Sequence, residues 1–575
     1  MVNEKALLLP LLFFTTVYLF CIRAKVVDTS YYGTFWYASE QLTGDLYGYF
    51  SMQLFVGITI LFSIYMLFCI LTGGMKLQKH KVYIPMAIYA VLVIVSYAFA
   101  EYKNIAFLGA NSRYEGTLTL LCYMLILFYT MHAIRSEGNV KCILKGFGVA
   151  SFLLGIWGIC QVMGVRLSDL PTWLYVPADL RDAADISLSM DTNAVNWFFT
   201  NQNYTSFFMV FPICLFGMAC IAEENGKKKL LYAVLTGLML FCLWQAASLG
   251  GMVGLAVAVV AALLIAGKNI VKWRKSLGLL FLAGVISVGA SLPVIMREVK
   301  SGTNVEASVK ADAESLRFAK IDHIITDGAD IVFSFEGEEV RVATEKGEVT
   351  AVTDTNGKTI PADNDLLRTS GYIDEETGYH VVAVETANKE WLFIVEGEET
   401  YYVTQTGKGI KLDKIESMGF ENSQGFATNR GYIWSRTLPL LKDTLLFGKG
   451  ADTYALYFPQ DDYVGRYNIG YYREGTDIIV DKPHNMYLGT AVHTGVISMI
   501  ALLVVYAIYL IESIKIYRKH TYEGFMDHIG MGIFIAIAGY LVAGLVNDST
   551  VQMMPMVYIF LGMGFAINRM LKEKK

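Results

Sequence analysis

Charge is scarce in this chain. Only 17% of its 575 residues are Asp, Glu, Lys or Arg, while 54% are hydrophobic. A soluble multidomain protein carries about 25% charge, so that class is excluded. The apolar stretches contain no clear pair of ionisable residues at mid-length, which argues against a proton- or ion-coupled transporter. Cysteine is absent from the long polar segment: Cys21, Cys69, Cys122, Cys142, Cys160, Cys214, Cys220 and Cys242 are all there are. That segment therefore folds without a disulfide, and no CxxC metal pattern exists anywhere. Alternating ten-residue strands are missing, which excludes a membrane barrel. No small-x-small cleavage pattern follows Cys21, so the first apolar run, preceded by Lys5, reads as a retained helix.

What the chain does contain is a series of apolar runs matched to a hydrocarbon core about 30 Å thick, which takes roughly 20 helical residues to cross. They lie near 6–22, 51–73, 82–100, 117–134, 146–164, 204–222, 230–247, 252–267, 277–296, 486–512, 530–546 and 553–569, twelve in all. Backbone groups in lipid must be satisfied within the segment, so these are expected to be helices. Taking alternate connections as cytoplasmic places 21 Lys and Arg on one side, against Arg23, Lys25, Lys103, Arg113, Arg166 and Arg181 in the short connections on the other. The positive-inside rule then puts both termini in the cytoplasm and the polar segment outside the plasma membrane.

The polar segment, 297–485, interrupts a membrane domain of nine helices (1–296) and one of three (486–575). After a linker at 297–315, residues 316–425 read as β: Ile331 to Phe335, Val340 to Val342 and Val349 to Val352 are separated by Glu-Gly, Lys-Gly and Asn-Gly turn signals. Between Asp312 and Gly425 stand 24 acidic and 10 basic residues, about −14, against −5 for the whole chain. That balance disfavours binding of a polyanionic glycan here, and no nucleic-acid role fits. Phe333-Ser334-Phe335-Glu336-Gly337-Glu338-Glu339 is echoed by Phe393-Ile394-Val395-Glu396-Gly397-Glu398-Glu399, which predicts two related halves. Trp391, Tyr401 and Tyr402 are either sugar-stacking surfaces or ordinary strand core. Tyr31, Tyr32, Trp36 and Tyr37, with Tyr467, Tyr471 and Tyr472, read as sugar-stacking or interfacial aromatics.

Residues 426–485 carry the motifs. Asn429-Arg430-Gly431-Tyr432-Ile433-Trp434-Ser435-Arg436 is followed by Phe447-Gly448-Lys449-Gly450-Ala451-Asp452 and then Lys482-Pro483-His484-Asn485-Met486. In this order, entering an apolar run, they resemble the signature loop of the O-antigen ligase and polymerase superfamily: an Arg four residues before a Trp, a Gly-x-Gly turn, and a His-Asn opening the next helix. Phe107 to Gly116, Asn201-Gln202-Asn203-Tyr204 and Asn547-Asp548-Ser549 agree with the same family, so the resemblance covers most of the membrane portion and excludes the β insert. The sequence departs where many members carry a Ser-Arg pair, having Ala247-Ser248-Leu249-Gly250-Gly251 instead; Arg113 or Arg436 is then left to supply that charge.

The resemblance implies a GT-C-like, all-α polytopic fold of about twelve transmembrane helices with an inserted extracytoplasmic β-rich domain. It implies a metal-independent, inverting glycosyltransferase without cofactor, taking a polyprenyl diphosphate-linked (undecaprenyl-type) glycan as donor. His484 suits the general base, since imidazole titrates near neutrality. Arg430 and Arg436 suit the diphosphate, which guanidinium forks grip bidentately. Arg113, Trp434, Asn203 and Asn485 complete the expected substrate contacts. The bland alternatives are a helix-start histidine and arginines that snorkel to lipid phosphates beside an interfacial Trp434. Asp452, Asp461 and Asp462 match no metal-loop spacing and read as solvated surface. Gly448-x-Gly450 lacks the flanking strand and helix of a nucleotide site and reads as a tight turn. Polymerisation of repeat units of a cell-envelope polysaccharide is the favoured activity. Transfer of a whole glycan to a lipid or protein acceptor is the alternative, with a lipid-linked oligosaccharide flippase or a partner-binding sensor from other classes.

Overall fold

A computed structural model describes residues 4–32, 42–180, 194–304 and 316–573, apart from residues 376, 388, 405, 471, 474, 475 and 478. Trp36, Tyr37, Arg181, Tyr471 and the part of the linker at 305–315 lie outside the described residues.

Each apolar stretch falls on a helix. In chain order the helices are α1 (Glu4–Thr15), α2 (Gly48–Leu71), α3 (Tyr83–Phe99), α4 (Lys103–Leu108), α5 (Thr117–Ala133), α6 (Glu137–Val162), α7 (Gln202–Ala222), α8 (Gly226–Gln245), α9 (Leu249–Ala266), α10 (Arg274–Asn304), α11 (Phe426–Leu440), α12 (Tyr463–Asn468), α13 (Met486–Thr494), α14 (Val496–Tyr517), α15 (Phe525–Ala543) and α16 (Met554–Glu573). Among the described residues, eight are long and apolar enough to cross a membrane: α2, α6, α7, α9 with its short extension, the first part of α10, α14, α15 and α16. The difference from twelve has local causes. The α3 and α5 helices have 17 residues each, a rise of about 26 Å. The α1 segment is shorter still, and α8 spends its first turn on Lys227, Lys228 and Lys229.

The run expected at 486–512 is broken at Gly495, whose φ of 103° ends α13. A Cβ there would lie 2.8 Å from the Phe447 Cα. The chain at 444–447 crosses at that point, with Thr444 and Leu445 carbonyls accepting from Val496 and Ile497 amides at 2.9 and 3.3 Å. A glycine inside an apolar run is thus a crossing point rather than a flaw in the span.

Within the bundle α7, α15 and α16 are the most enclosed helices, with Phe207 stacked on Tyr540 at 4.2 Å. Around them, α2, α3, α9 and α10 turn apolar faces outward: Leu61, Ile64 and Phe68, then Ile84 and Val91, then Leu264 and Phe281 are exposed. A soluble protein does not expose so much contiguous apolar surface, and a hydrocarbon solvent accounts for it.

A short antiparallel pair, β1 (Lys25–Asp28) and β2 (Leu42–Asp45), lies between α1 and α2. The insert is two larger antiparallel sheets. β3 (Ile321–Asp327), β4 (Asp330–Phe335), β5 (Glu338–Glu345) and β6 (Glu348–Thr353) form one in sequence order. β7 (Arg368–Ile373), β8 (His380–Thr386), β9 (Lys389–Glu396), β10 (Glu399–Val403) and β11 (Gly409–Ile410) form the other, also in sequence order. The two echoed sequences are the β4–β5 and β9–β10 hairpins, whose two-residue turns are offset by one position in the echo: Phe335 pairs with Glu338, but Glu396 pairs with Glu399. Phe333 and Phe393 hold equivalent places in the echo and meet edge to face across the sheets, 6.2 Å apart.

Trp391 and Tyr402 belong to that core, being 0% and 4% exposed, so the sugar-stacking reading fails for both. The helix α12 plugs Tyr463 and Tyr467 into the same core, Tyr463 lying 4.7 Å from Tyr402. Tyr467 is therefore neither interfacial nor sugar-facing. The Asn468 side chain bonds Ile321 in both directions, accepting from its amide at 2.9 Å and donating to its carbonyl at 2.7 Å. Insert and motif-bearing segment are consequently one packed body.

Candidate functional site

The motifs meet where the ends of α3, α5, α7, α13 and α16 approach the segment that carries the insert. His484 has φ 50°, a conformation that costs a non-glycine residue about 1–3 kcal/mol and needs its surroundings to hold it. Three contacts do so. Trp434 donates from Nε1 to the Pro483 carbonyl at 2.9 Å. Asn485 caps α13, its Oδ1 accepting from the Tyr487 and Leu488 amides, each at 3.0 Å. The His484 Nδ1 stands 2.9 Å from Asp548 Oδ2. The side chains are 33% and 3% exposed respectively, so the ring reaches solvent while its partner is enclosed. A carboxylate at Nδ1 fixes the tautomer with the proton there and leaves Nε2 as the free base.

Asp548 sits in the connection between α15 and α16. Burial alone would raise its pKa, but His484, Arg113 and Lys482 outweigh it and bring it down to about 2. Among the described residues its Oδ1 is buried without a hydrogen-bond partner, as are Tyr204 Oη, Asn547 Nδ2 and His493 Nε2. Unsatisfied buried polar atoms are rare in native proteins and mark places where water or a ligand belongs. A small cavity of about 30 Å³, lined by Arg113, Glu115, His493, Asp548 and Ser549 among others, adjoins them.

Arg113 is the cation nearest that cavity. Its Nε lies 2.9 Å from Asp452 Oδ1, and Nη2 lies 3.6 Å from Glu115 Oε2. Burial pulls the guanidinium pKa down, yet Asp452, Glu115 and Asp548 together carry it higher than usual. Glu115 goes the other way: burial pushes it up to about 7 despite Arg113 and hydrogen bonds from Ser549 and Tyr123. The close ion pair of Arg113 is thus with Asp452, whose other oxygen accepts from the Ala110 and Glu115 amides at 2.8 and 3.2 Å. Asp452 is 6% exposed, so the solvated-surface expectation is wrong for it; a buried carboxylate here clamps the Phe107 to Gly116 turn. Lys482, paired with Asp481 at 3.2 Å, lies 5.8 Å from the Tyr204 ring. Burial lowers its pKa, but Asp481, Tyr204 and Asp548 raise it more.

The Gly-x-Gly element is spent on structure. A Cβ on Gly448 would come 2.2 Å from the His493 carbonyl carbon. Its amide donates to Ser96 Oγ at 2.9 Å, and the Lys449 and Gly450 amides donate to Val492 and His493 carbonyls at 2.9 and 3.0 Å. These amides close the end of α13 and so fix the far side of the cavity, in agreement with a tight turn.

The two arginines of the Arg-Gly-Tyr-Ile-Trp-Ser-Arg block part company. Arg436 is 7% exposed, donates from Nε to Asp462 Oδ2 at 2.8 Å and from Nη1 to Ser435 Oγ at 2.9 Å, and lies over the Tyr432 ring at 4.5 Å. It does not snorkel, and Asp462 is buried, not solvated; Asp461 is the exposed one. Arg430 follows Ala427, Thr428 and Asn429, all at positive φ, and donates from Nη1 to the Ala427 carbonyl at 2.7 Å. Trp434 is buried between Phe420 and Phe426, not an interfacial anchor. Asn203 lies in the first turn of α7, where its amide bonds Asn201 Oδ1 at 2.8 Å and its carbonyl accepts from Ser206; its neighbour Tyr204 is the residue that reaches Lys482.

Of the expected residues the structure therefore places Arg113 in the cavity lining, joins His484 to it through Asp548, and holds Trp434 against Pro483 beside His484. It adds Asp548, Asp452, Glu115 and Lys482, which residue patterns did not single out as site residues. The sequence signals for Asp548 are its place in the Asn547-Asp548-Ser549 block and in a very short polar break between two apolar runs. No family model, no curated protein and no solved structure matches the chain.

Proposed function

We propose that the protein is an extracytoplasmic glycosyltransferase of the O-antigen ligase and polymerase type, with about twelve membrane segments in a GT-C-like arrangement and both termini cytoplasmic. The observation that carries the reading is the pairing of half-exposed His484 with buried, ionised Asp548 at the end of the bundle that bears the polar segment. The motif order Arg430, Trp434, Gly448-x-Gly450, His484-Asn485 supports it independently.

In this reading an acceptor hydroxyl attacks the anomeric carbon of a polyprenyl diphosphate-linked glycan. The new C–O bond forms as the bond to the diphosphate oxygen breaks, the hydroxyl proton passes to His484 Nε2, and the lipid diphosphate leaves with the bonding pair. Attack opposite the leaving group inverts the anomeric centre. Asp548 holds the ring and stabilises the imidazolium that results. Lys482 and Arg113, which both draw the Asp548 pKa down, supply positive charge beside the His484–Asp548 pair as the diphosphate leaves, and Arg430 is the guanidinium at the start of α11. Arg436, committed to Asp462, acts by holding the wall and not by contacting phosphate. No metal is required, and transfer is expected to survive chelation; loss restored by Mg²⁺ or Mn²⁺ would remove that part.

The deciding experiment is turnover of a polyprenyl diphosphate-linked oligosaccharide by reconstituted protein, wild type against His484→Ala, with products resolved by size. A ladder absent from the variant means polymerisation at this site, and a single added band means ligase-type transfer. No reaction across a range of donors sinks the proposal and favours a flippase or a partner-binding protein.

A further inference from the structure

We propose that the groove between the β insert and the motif-bearing segment is a glycan-binding site that holds the saccharide chain of the substrate several sugars away from the bond being made. This rests on the transferase reading above for its ligand.

The groove has a volume of about 960 Å³, the upper end of the roughly 300–1,000 Å³ typical of ligand sites. The cavity at Asp548, at about 30 Å³, has room for little beyond a water. A chain of sugars fits the first and not the second. One wall is β3 and the strand's approach at Lys320, together with the chain from Leu412 to Gln424; the other is α12 and the start of α11. The spacing of the walls is set by the paired Asn468–Ile321 bonds and by the tyrosines of α12 in the insert core. It is a preformed site, which reduces the ordering cost of binding.

Its chemistry is that of a neutral, hydroxyl-rich ligand. Asn422, Asn429, Ser417 and Gln424 line it and offer amides and hydroxyls that both donate and accept. The charges lining it are mixed, Lys320 and Lys414 against Asp322, Asp413 and Glu421, and Arg436 and Asp462 neutralise each other. A polyanion finds no surplus of positive charge there. Phe426 lines the groove with 53% of its surface exposed, an aromatic face against which the C–H side of a sugar ring packs.

One wall of the groove is joined to His484 through a single buried ring. Phe426 lies 6.0 Å from Trp434, which bonds the Pro483 carbonyl beside His484. A chain lying in the groove past Phe426 is thereby directed to the His484 rim. This gives the insert a role that its buried Trp391 and Tyr402 do not provide.

The test uses the full chain in lipid nanodiscs. Its probes are a disaccharide, a tetrasaccharide and an octasaccharide, made by partial hydrolysis of the surface polysaccharide of cells that make the protein. Binding is read by saturation-transfer NMR and titration. Affinity is expected to rise by at least about tenfold from the shortest to the longest probe, as more of the groove is filled. Ser417→Trp with Asn422→Trp, which fills the groove, should abolish that gain, while Ser417→Ala with Asn422→Ala keeps the melting temperature of the wild type. Should the double tryptophan variant fail to fold, Asn422→Trp alone, at an exposed position, is expected to cut octasaccharide affinity several-fold. His484→Ala should bind all three probes as the wild type does. Length-independent binding, or gain of affinity unaffected by the filled groove, overturns the proposal. Length-dependent binding without any turnover leaves the groove and removes the transferase reading; turnover with length-independent binding does the reverse.

Discussion

His484 Nδ1 lies 2.9 Å from Asp548 Oδ2, across the three helices α13, α14 and α15 that separate them in the chain, and among the described residues the second oxygen of that carboxylate is buried without a donor. An imidazole at the rim and a carboxylate in the interior form one unit, which the proposed transfer uses as base and orienting group. Replacing Asp548 by Asn keeps the shape but presents an amide to Nδ1, which turns the ring's lone pair inward. Transfer should fall about 10²-fold or more, with donor KM little changed. His484→Ala should fall by about 10²–10⁴-fold. Equal kcat in wild type and Asp548→Asn would leave Asp548 without a part in the reaction.

Two neighbouring carboxylates should give stability slopes of opposite sign with pH. Glu115 is raised from 4.5 to about 7. The folded state therefore prefers its protonated form, and the contribution is complete below pH 4.5 and is lost as pH rises through 7. The shift corresponds to roughly 3 kcal/mol. Asp548 is lowered from 3.8 to about 2, so its contribution is present above 3.8 and is lost as pH falls through 2. Melting temperature in detergent should therefore decline between pH 4.5 and 7 in the wild type, and Glu115→Gln should flatten that decline while leaving the acid limb. An unchanged decline would show that another group titrates there.

The buried pair Arg436–Asp462 should behave as a strut. Removing one partner leaves the other charge buried and alone, at a cost of about 3–5 kcal/mol. Arg436→Met or Asp462→Leu singly should loosen the packing between α11 and α12, seen as faster proteolysis after the insert. The double variant, which removes both charges, should recover most of the protection. If Arg436→Met instead raised donor KM with proteolysis unchanged, the residue would belong to the phosphate site.

How far the sequence could be read follows from how far each partner lies along the chain. Helices and the hairpin echo depend on neighbours within a few residues, so periodicity, turn signals and apolar length find them; the side chain of Asn485, expected to contact substrate, instead caps α13. The Gly495 break did not announce itself, because its cause is the crossing of Phe447 from a remote part of the chain. Asp452 and Asp462 read as solvated surface, and Asp548 carried no role within its Asn547-Asp548-Ser549 block, because nothing local distinguishes a buried carboxylate from a solvated one. The partners of Asp548 and Asp452, His484 and Arg113, come from other segments. Arg436 was assigned to phosphate for the same reason, since Asp462 stands 26 residues away. Aromatics on strands stay ambiguous in sequence because what covers Trp391 is Phe333, from the β3–β6 sheet.

Gly448 separates two meanings of the Gly-x-Gly element. A phosphate cradle keeps its amides free and its glycines open to the ligand. Here the three amides from Gly448 to Gly450 are all bonded within the protein, and the missing Cβ makes room for the His493 backbone at 2.2 Å. That neighbour is main chain at the end of a helix and cannot swing aside, so overpacking should cost about 1–3 kcal/mol or more. Gly448→Ala is expected to lower the melting temperature and the yield of folded protein, while the folded fraction retains the wild-type KM for donor. Under the cradle reading the opposite pattern holds: melting is unchanged and donor KM rises. Measuring both on one purified sample distinguishes them, because packing against His493 acts through stability and phosphate contact acts through binding.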